Sequence, residues 1–178
     1  MFISEISKEA PSKFNSEIQE ATYNVLHKLD IPFERIETNE VVTMNQCQIV
    51  NERLQMDMVK TLFLCNRKRT AFYLVVMLGN KPFNTKLFSD SLNISRVSFA
   101  PEDMLMHFLG VKVGAASIFG LLNPNSEDVH VVLHRDVTLL PNYGCSDGTT
   151  TNYLKIGTHH IIEDYLAFLK RKVTIVEF

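Results

Sequence analysis

The sequence predicts a mixed α/β (α+β) single domain, built on one curved or barrel-like sheet with helices flanking it at both ends and in the middle. Three observations predict it. Short apolar and β-branched runs alternate with segments of helical spacing, several helical segments carry recognisable caps, and no repeat, low-complexity tract or linker divides the chain. At 178 residues it is long enough to bury a core without disulfide staples.

The elements follow in order. Residues 1–14 mix acids and bases ahead of any apolar core and read as an N-terminal arm, either flexible or strapped across the sheet, leaving 15–178 as the domain. Asn15 or Ser16 caps a first helix with Ile18, Ala21, Val25, Leu26 and Leu29 at helical spacing; Pro32 closes it. "KTLFLC" and "AFYLVVML" are strands joined by the basic turn "NRKRT", residues 66–70. A short helix is expected near residues 87–92, then a strand at "RVSF". "APEDMLMHFLG" starts a helix with Pro101 in its first turn, acids at its positive end and Gly110 at its stop. "DVHVVLH" and "TNYLKI" are further strands. A last helix runs from a cap at Thr158 through Ile161, Ile162, Tyr165, Leu166 and Leu169.

Composition narrows the chemistry. A net charge of −2 and a pI near 6.3 exclude a general polycation, so any contact with nucleic acid has to use a local patch. Cys47, Cys65 and Cys145 are odd in number and far apart, which argues against a disulfide framework or a zinc site and for a reducing compartment. No apolar run is long enough to span a bilayer, so a cytoplasmic protein without membrane contact is expected.

The common catalytic patterns are missing. There is no P-loop, no G-x-G-x-x-G after a strand and no G-x-S-x-G elbow, and no cofactor is expected. His130 and His134 are four apart, but in a strand that separates them by roughly 13 Å, too far for one ion. His159 and His160 are adjacent at a helix start and expected to point apart, so no metal is assigned. Cys145 lies among turn residues where a thiol can be exposed, yet no neighbouring base is identifiable.

Three segments remain. Lys60 stands at the mouth of an apolar strand, on the face of Leu62 and Leu64, where it either snorkels past the strand end or meets an anion. "FLGVKVGAASIFGLLNP" places Gly114, Ala115, Ala116 and Ser117 after a helix stop; such small residues let a ligand approach the backbone, or make a tight connection. "NYGCSDGTTTNYLKI" is rich in turn residues whose amides and hydroxyls hold an ester or phosphate oxygen, or simply make turns. The turn "NRKRT" either reaches phosphates or is a solvated hairpin tip.

The order and wording of these segments, above all the lysine leading into "KTLFL" and the block "SFAPEDMLMHFLGVKVGAASIFGLL", resemble the YbaK/ProX family over residues 26–169. These are free-standing relatives of the editing domain inserted in bacterial prolyl-tRNA synthetases, and the ProX branch, some of whose members are labelled PrdX, is the nearest. The resemblance implies a trans-editing deacylase that hydrolyses the ester of a mischarged small amino acid, typically alanine, on tRNA for proline; the YbaK branch handles cysteinyl-tRNA. It implies the acceptor end of aminoacyl-tRNA as partner, prolyl-tRNA synthetase as a second, and no DNA. Lys60 matches the catalytic lysine expected to contact the 3′-terminal adenosine or its phosphate, and Gly114, Ala115, Ala116 and Ser117 match the loop shaping the aminoacyl pocket. No covalent protein nucleophile is required, because an aminoacyl ester is already reactive and yields to positioning and oxyanion stabilisation.

This chain also departs from that pattern. The family's His-Pro pair and following Asn-Thr align to Gly144-Cys145 and Gly148-Thr149, so the histidine is absent, and either the activity is weakened or its role passes to Ser146, Asp147 or a water. Gly144, Ser146, Asp147 and Thr149 are the substrate-binding candidates of this segment. Val113 stands where the pocket loop commonly has proline, and His134 where aspartate is common. A non-catalytic module that binds a tRNA end, an amino acid or a synthetase remains the alternative.

Overall fold

The computed structural model describes residues 2–40 and 44–178. Among them the chain forms β1 (Phe33–Glu37), β2 (Val59–Asn66), β3 (Phe72–Leu78), β4 (Val97–Phe99), β5 (His130–His134), β6 (Asn142–Ser146), β7 (Asn152–Gly157) and β8 (Val173–Val176). The α-helices are α1 (Glu17–Lys28), α2 (Met44–Leu54), α3 (Thr85–Leu92), α4 (Glu102–Leu109), α5 (Arg135–Thr138) and α6 (Leu166–Phe168).

The mixed α/β class holds, but the single sheet resolves into two. One is three-stranded and antiparallel, in the order β1-β7-β6; the other is five-stranded and mixed, in the order β4-β2-β3-β5-β8. A parallel bridge between Met58 and Gly144 joins them, in place of the continuous pairing that a closed barrel requires. The main core lies between the sheets and α1, with Leu26, Leu74, Ile118, Phe119, Leu133 and Leu154 fully buried. A second cluster, including Leu64, Val75, Phe88 and Val132, covers the other face of the five-stranded sheet, and a third seats α2 through Val50 and Leu54 against Ile36 and Tyr153.

Local chemistry sets the boundaries. Ser16 caps α1, its hydroxyl accepting from the Gln19 amide at 3.1 Å. Pro101 stands at the cap position before α4 instead of inside its first turn, and Gly110, at φ +66°, ends that helix in the left-handed conformation. Residues of the N-terminal arm strap along β1: Ser4 donates to the Glu37 carbonyl and Ser7 to that of Arg35, both at 2.9 Å, which covers an otherwise open edge.

Three corrections concern the C-terminal half. The segment read as turns, 142–146, is strand β6, paired with β7 from Asn142 to Ser146, and this buries Cys145 at 2% exposure where a turn would have exposed it. Thr158 does not cap the last helix; its hydroxyl is buried with no partner among the described residues, and His160–Tyr165 is wound as a π-helix. The rings of His159 and His160 do not point apart. Their centroids lie 3.9 Å from each other because both fold back over Gly157, whose missing side chain leaves the room.

Candidate functional site

Lys60 is the second residue of β2, paired with Met77 of β3. Val59, Phe63 and Cys65 turn into the main core, whereas Leu62 and Leu64 turn to the opposite face, and Lys60 shares that second register. Its ammonium donates to the backbone carbonyl of Lys81, just past the end of β3. Partial burial lowers its pKa from the usual lysine range. No carboxylate forms an ion pair with it among the described residues, although Asp57 lines the same space. One of three N–H donors is used by Lys81, so two remain for an anion or ester oxygen.

That space is a cleft of about 480 Å³. Cys47, Gln48 and Asn51 of α2 form one wall, the mouth of β2 from Asp57 to Lys60 the floor, and Leu78, Gly79 and Asn80 the far side. The side-chain oxygen Oδ1 of Asn51 accepts from the Met58 backbone amide at 3.1 Å, fixing the helix to the strand mouth. Gly79 donates its amide to Met58 at 3.0 Å, and a β-carbon there would meet that carbonyl oxygen at 2.5 Å, so the close approach requires glycine.

Helix α2 is the part of this site that sequence reasoning missed. Among its described side chains only Val50 and Leu54 are fully buried, too few to mark a helical stripe. The available signal was the Asn51 and Cys47 spacing of one helical turn.

The other candidates gather elsewhere. The Ser117 hydroxyl donates to the Ser146 carbonyl at 2.8 Å and that of Ser146 to the Ala115 carbonyl at 3.5 Å, tying the small-residue loop to β6. Gly114, at φ +87°, stands at the exposed loop tip across from Thr150, Ala116 is half-buried, and Ala115 packs into the core. Asp147 is fully buried: one carboxylate oxygen accepts from Gln19 (2.8 Å) and Tyr23 (2.9 Å), the other from the amide and hydroxyl of Thr149 (3.2 and 2.7 Å). Burial nevertheless pushes its carboxyl above the usual carboxylate range.

Gly144 links the two groups. It bridges Met58 beside the cleft and lies two residues before Ser146 on β6. A β-carbon on it would stand 2.6 Å from Met56 Sδ and 2.9 Å from the Asp57 carbonyl oxygen, so this position holds no side chain. Lys60 belongs to the register of β2 that faces away from the main core, whereas Ala115 packs into that core.

Burial raises the thiol pKa of Cys47, which lines the cleft, and pushes that of Cys145, in the core, well up. His134 is structural, its ring nitrogen Nδ1 accepting from the Asp136 amide at 3.2 Å. Among the described residues no group of three His, Cys, Asp or Glu stands together to hold a metal, and no helix is long and apolar enough to cross a membrane.

Comparison with known proteins places this geometry in context. Residues 38–163 match the family described as the aminoacyl-tRNA editing domain. The prolyl-tRNA editing protein ProX of Acetoanaerobium sticklandii is 31% identical over 119 residues, which cover 67% of this chain and 73% of that relative. Among solved structures, a candidate trans-editing enzyme for prolyl-tRNA synthetase superimposes with a TM-score of 0.67 at 14% identity, covering 93% of this chain and 99% of the other. The hypothetical protein APE2540 gives 0.67 at 15% identity, covering 88% and 98%. At such identities the two structures speak for the fold.

Proposed function

Because the chain belongs to the aminoacyl-tRNA editing domain family, we propose that it is a trans-editing deacylase that removes a mischarged small amino acid, alanine foremost, from tRNA for proline. The observation that carries this reading is Lys60: an ammonium with a carbonyl partner and, among the described residues, no paired carboxylate and two free donors, set on the floor of a cleft. A cation held in this way favours an anionic nucleotide end. Its partners on this reading are the acceptor end of aminoacyl-tRNA and, in the same cycle, the prolyl-tRNA synthetase that makes the error.

The reaction needs no covalent intermediate on the protein. Lys60 holds the 3′-terminal nucleotide, water attacks the ester carbonyl, and polar groups around the cleft stabilise the developing oxyanion; its collapse breaks the ester C–O bond, the ribose oxygen leaves with the proton that water gives up, and the free amino acid is released. The raised thiol pKa of Cys47 and Cys145 supports hydrolysis without a protein nucleophile. The candidates Gly114, Ala115, Ala116, Ser117, Ser146, Asp147 and Thr149 act on this reading by setting the position of β6, and through Gly144 the shape of the strand mouth. Selection for alanine is steric: excluding the larger proline by clash discriminates strongly, whereas favouring one extra methylene gains only about 1–3 kcal/mol.

One observation favours the second reading, a binding module without turnover: Met56 fills the space beside Gly144, where the family pattern has a histidine. Deacylation of alanyl-tRNA for proline, run beside the prolyl-, cysteinyl- and seryl- forms, separates the two. Selective loss of alanine supports the deacylase; tight binding of all four without loss above the spontaneous rate supports the module.

A further inference from the structure

A second cleft, of about 620 Å³, lies at the far end of β2 from Lys60. The hairpin tip supplies Asn66, Arg67 and Arg69, and Arg96, Val97, Ser98, Phe99 and Thr85 supply most of the rest. Six residue steps along the strand take Lys60 to Asn66, roughly 20 Å.

Three properties distinguish this cleft from an ordinary solvated hairpin. Arg67, Arg69 and Arg96 converge on it, all exposed, and none makes an ion pair or side-chain hydrogen bond among the described residues. No lining residue is acidic, in a chain whose net charge is −2. Phe99 is 62% exposed, with one edge against Phe83 (ring centroids 6.2 Å), on the edge strand β4, which pairs only with β2. Phe99 is in register with Leu64 and therefore lies on the same sheet face as Lys60.

We propose that this cleft is a second RNA-docking site, in which Arg67, Arg69 and Arg96 take backbone phosphates and Phe99 stacks on an exposed base of the tRNA whose 3′ end reaches Lys60. The proposal rests on the deacylase reading for the identity of the RNA. Guanidinium groups match phosphate geometry, and an exposed ring beside a basic groove is a platform for bases irrespective of sequence. A locally cationic cleft on an acidic protein also directs the substrate to one face.

The test compares R67Q/R69Q/R96Q, Phe99→Ala and a control that removes three remote exposed cations, K8Q/K13Q/K172Q. Each is assayed on full-length alanyl-tRNA for proline and on the alanyl ester of the CCA trinucleotide, across a salt series. The arginine variant should raise KM for full-length tRNA about tenfold and flatten the logarithmic salt slope by about 2 to 3, leaving kcat and trinucleotide turnover unchanged. Phe99→Ala should raise KM several-fold without changing the slope. An unaltered KM and slope in the arginine variant, or an equal change in the control, would overturn the proposal, and an unaltered Phe99 variant would overturn its stacking half. Should the wild-type protein hydrolyse neither substrate, the deacylase reading falls separately. The same variants then bind uncharged tRNA, where equal affinity of wild type and arginine variant would overturn the cleft and weaker, less salt-dependent binding would support it.

Discussion

Met56 occupies the place of a side chain that Gly144 does not have: a β-carbon at Gly144 would lie 2.6 Å from the Met56 sulfur. The α2–β2 connection thus packs directly on the β6 backbone, and the Met58–Gly144 bridge that joins the two sheets depends on that contact. Gly144→Ala should therefore destabilise the fold by about 1–3 kcal/mol, read as a lower urea midpoint. Adding Met56→Ala should restore only part of it, since the Asp57 carbonyl oxygen, at 2.9 Å from the new carbon, is backbone.

Asp147 gives a pH signature. Its folded pKa is raised by burial, so the folded state binds its proton more tightly than the unfolded chain does. The resulting stability is fully present below the ordinary carboxyl value of about 3.9 and is lost as pH rises through the folded value. In thermal denaturation, wild type should lose ground relative to Asp147→Asn as pH rises through that window. The variant itself should be less stable at neutral pH, because its amide N–H groups face the donors of Gln19, Tyr23 or Thr149.

The sequence was readable where side-chain pattern alone decides structure. The strands around Leu64 and Leu74 carry continuous apolar runs, α1 has its Ser16 cap and α4 its Gly110 stop, and Lys60 stands out because a cation interrupts an apolar pattern. It was not readable where tertiary pairing decides. β6 is written in Asn, Gly, Cys and Ser, which favour turns, and is a strand because β7 and Met58 pair with it. β1 and β8 are short strands whose charged or exposed residues hide their pairing. The cleft wall from α2 was hidden because, among its described side chains, only Val50 and Leu54 are fully buried. The two-sheet division could not be read either, since one bridge at a glycine marks it.

The cysteines test the proposal that no thiol acts as a nucleophile. Cys47→Ser should leave the deacylation rate within about twofold of wild type, whereas loss of a nucleophile costs several orders of magnitude. In native protein Cys145 should resist alkylation and Cys47 react slowly, with fast labelling of both only after unfolding.

Lys60 should also give the binding of uncharged tRNA an alkaline limit. Its depressed pKa means the ammonium is lost at lower pH than from a free lysine, so affinity should fall as pH rises toward the ordinary value of about 10.4. Lys60→Arg keeps its charge and should abolish that fall.

The most direct test of the account is the single-turnover rate of alanyl-tRNA deacylation at saturating protein, wild type against Lys60→Ala, with melting curves confirming that both are folded. Placement of the reacting end by Lys60 predicts a loss of roughly a hundredfold in the variant. A variant rate within twofold of wild type would contradict it and move the chemistry away from the cleft at the mouth of β2.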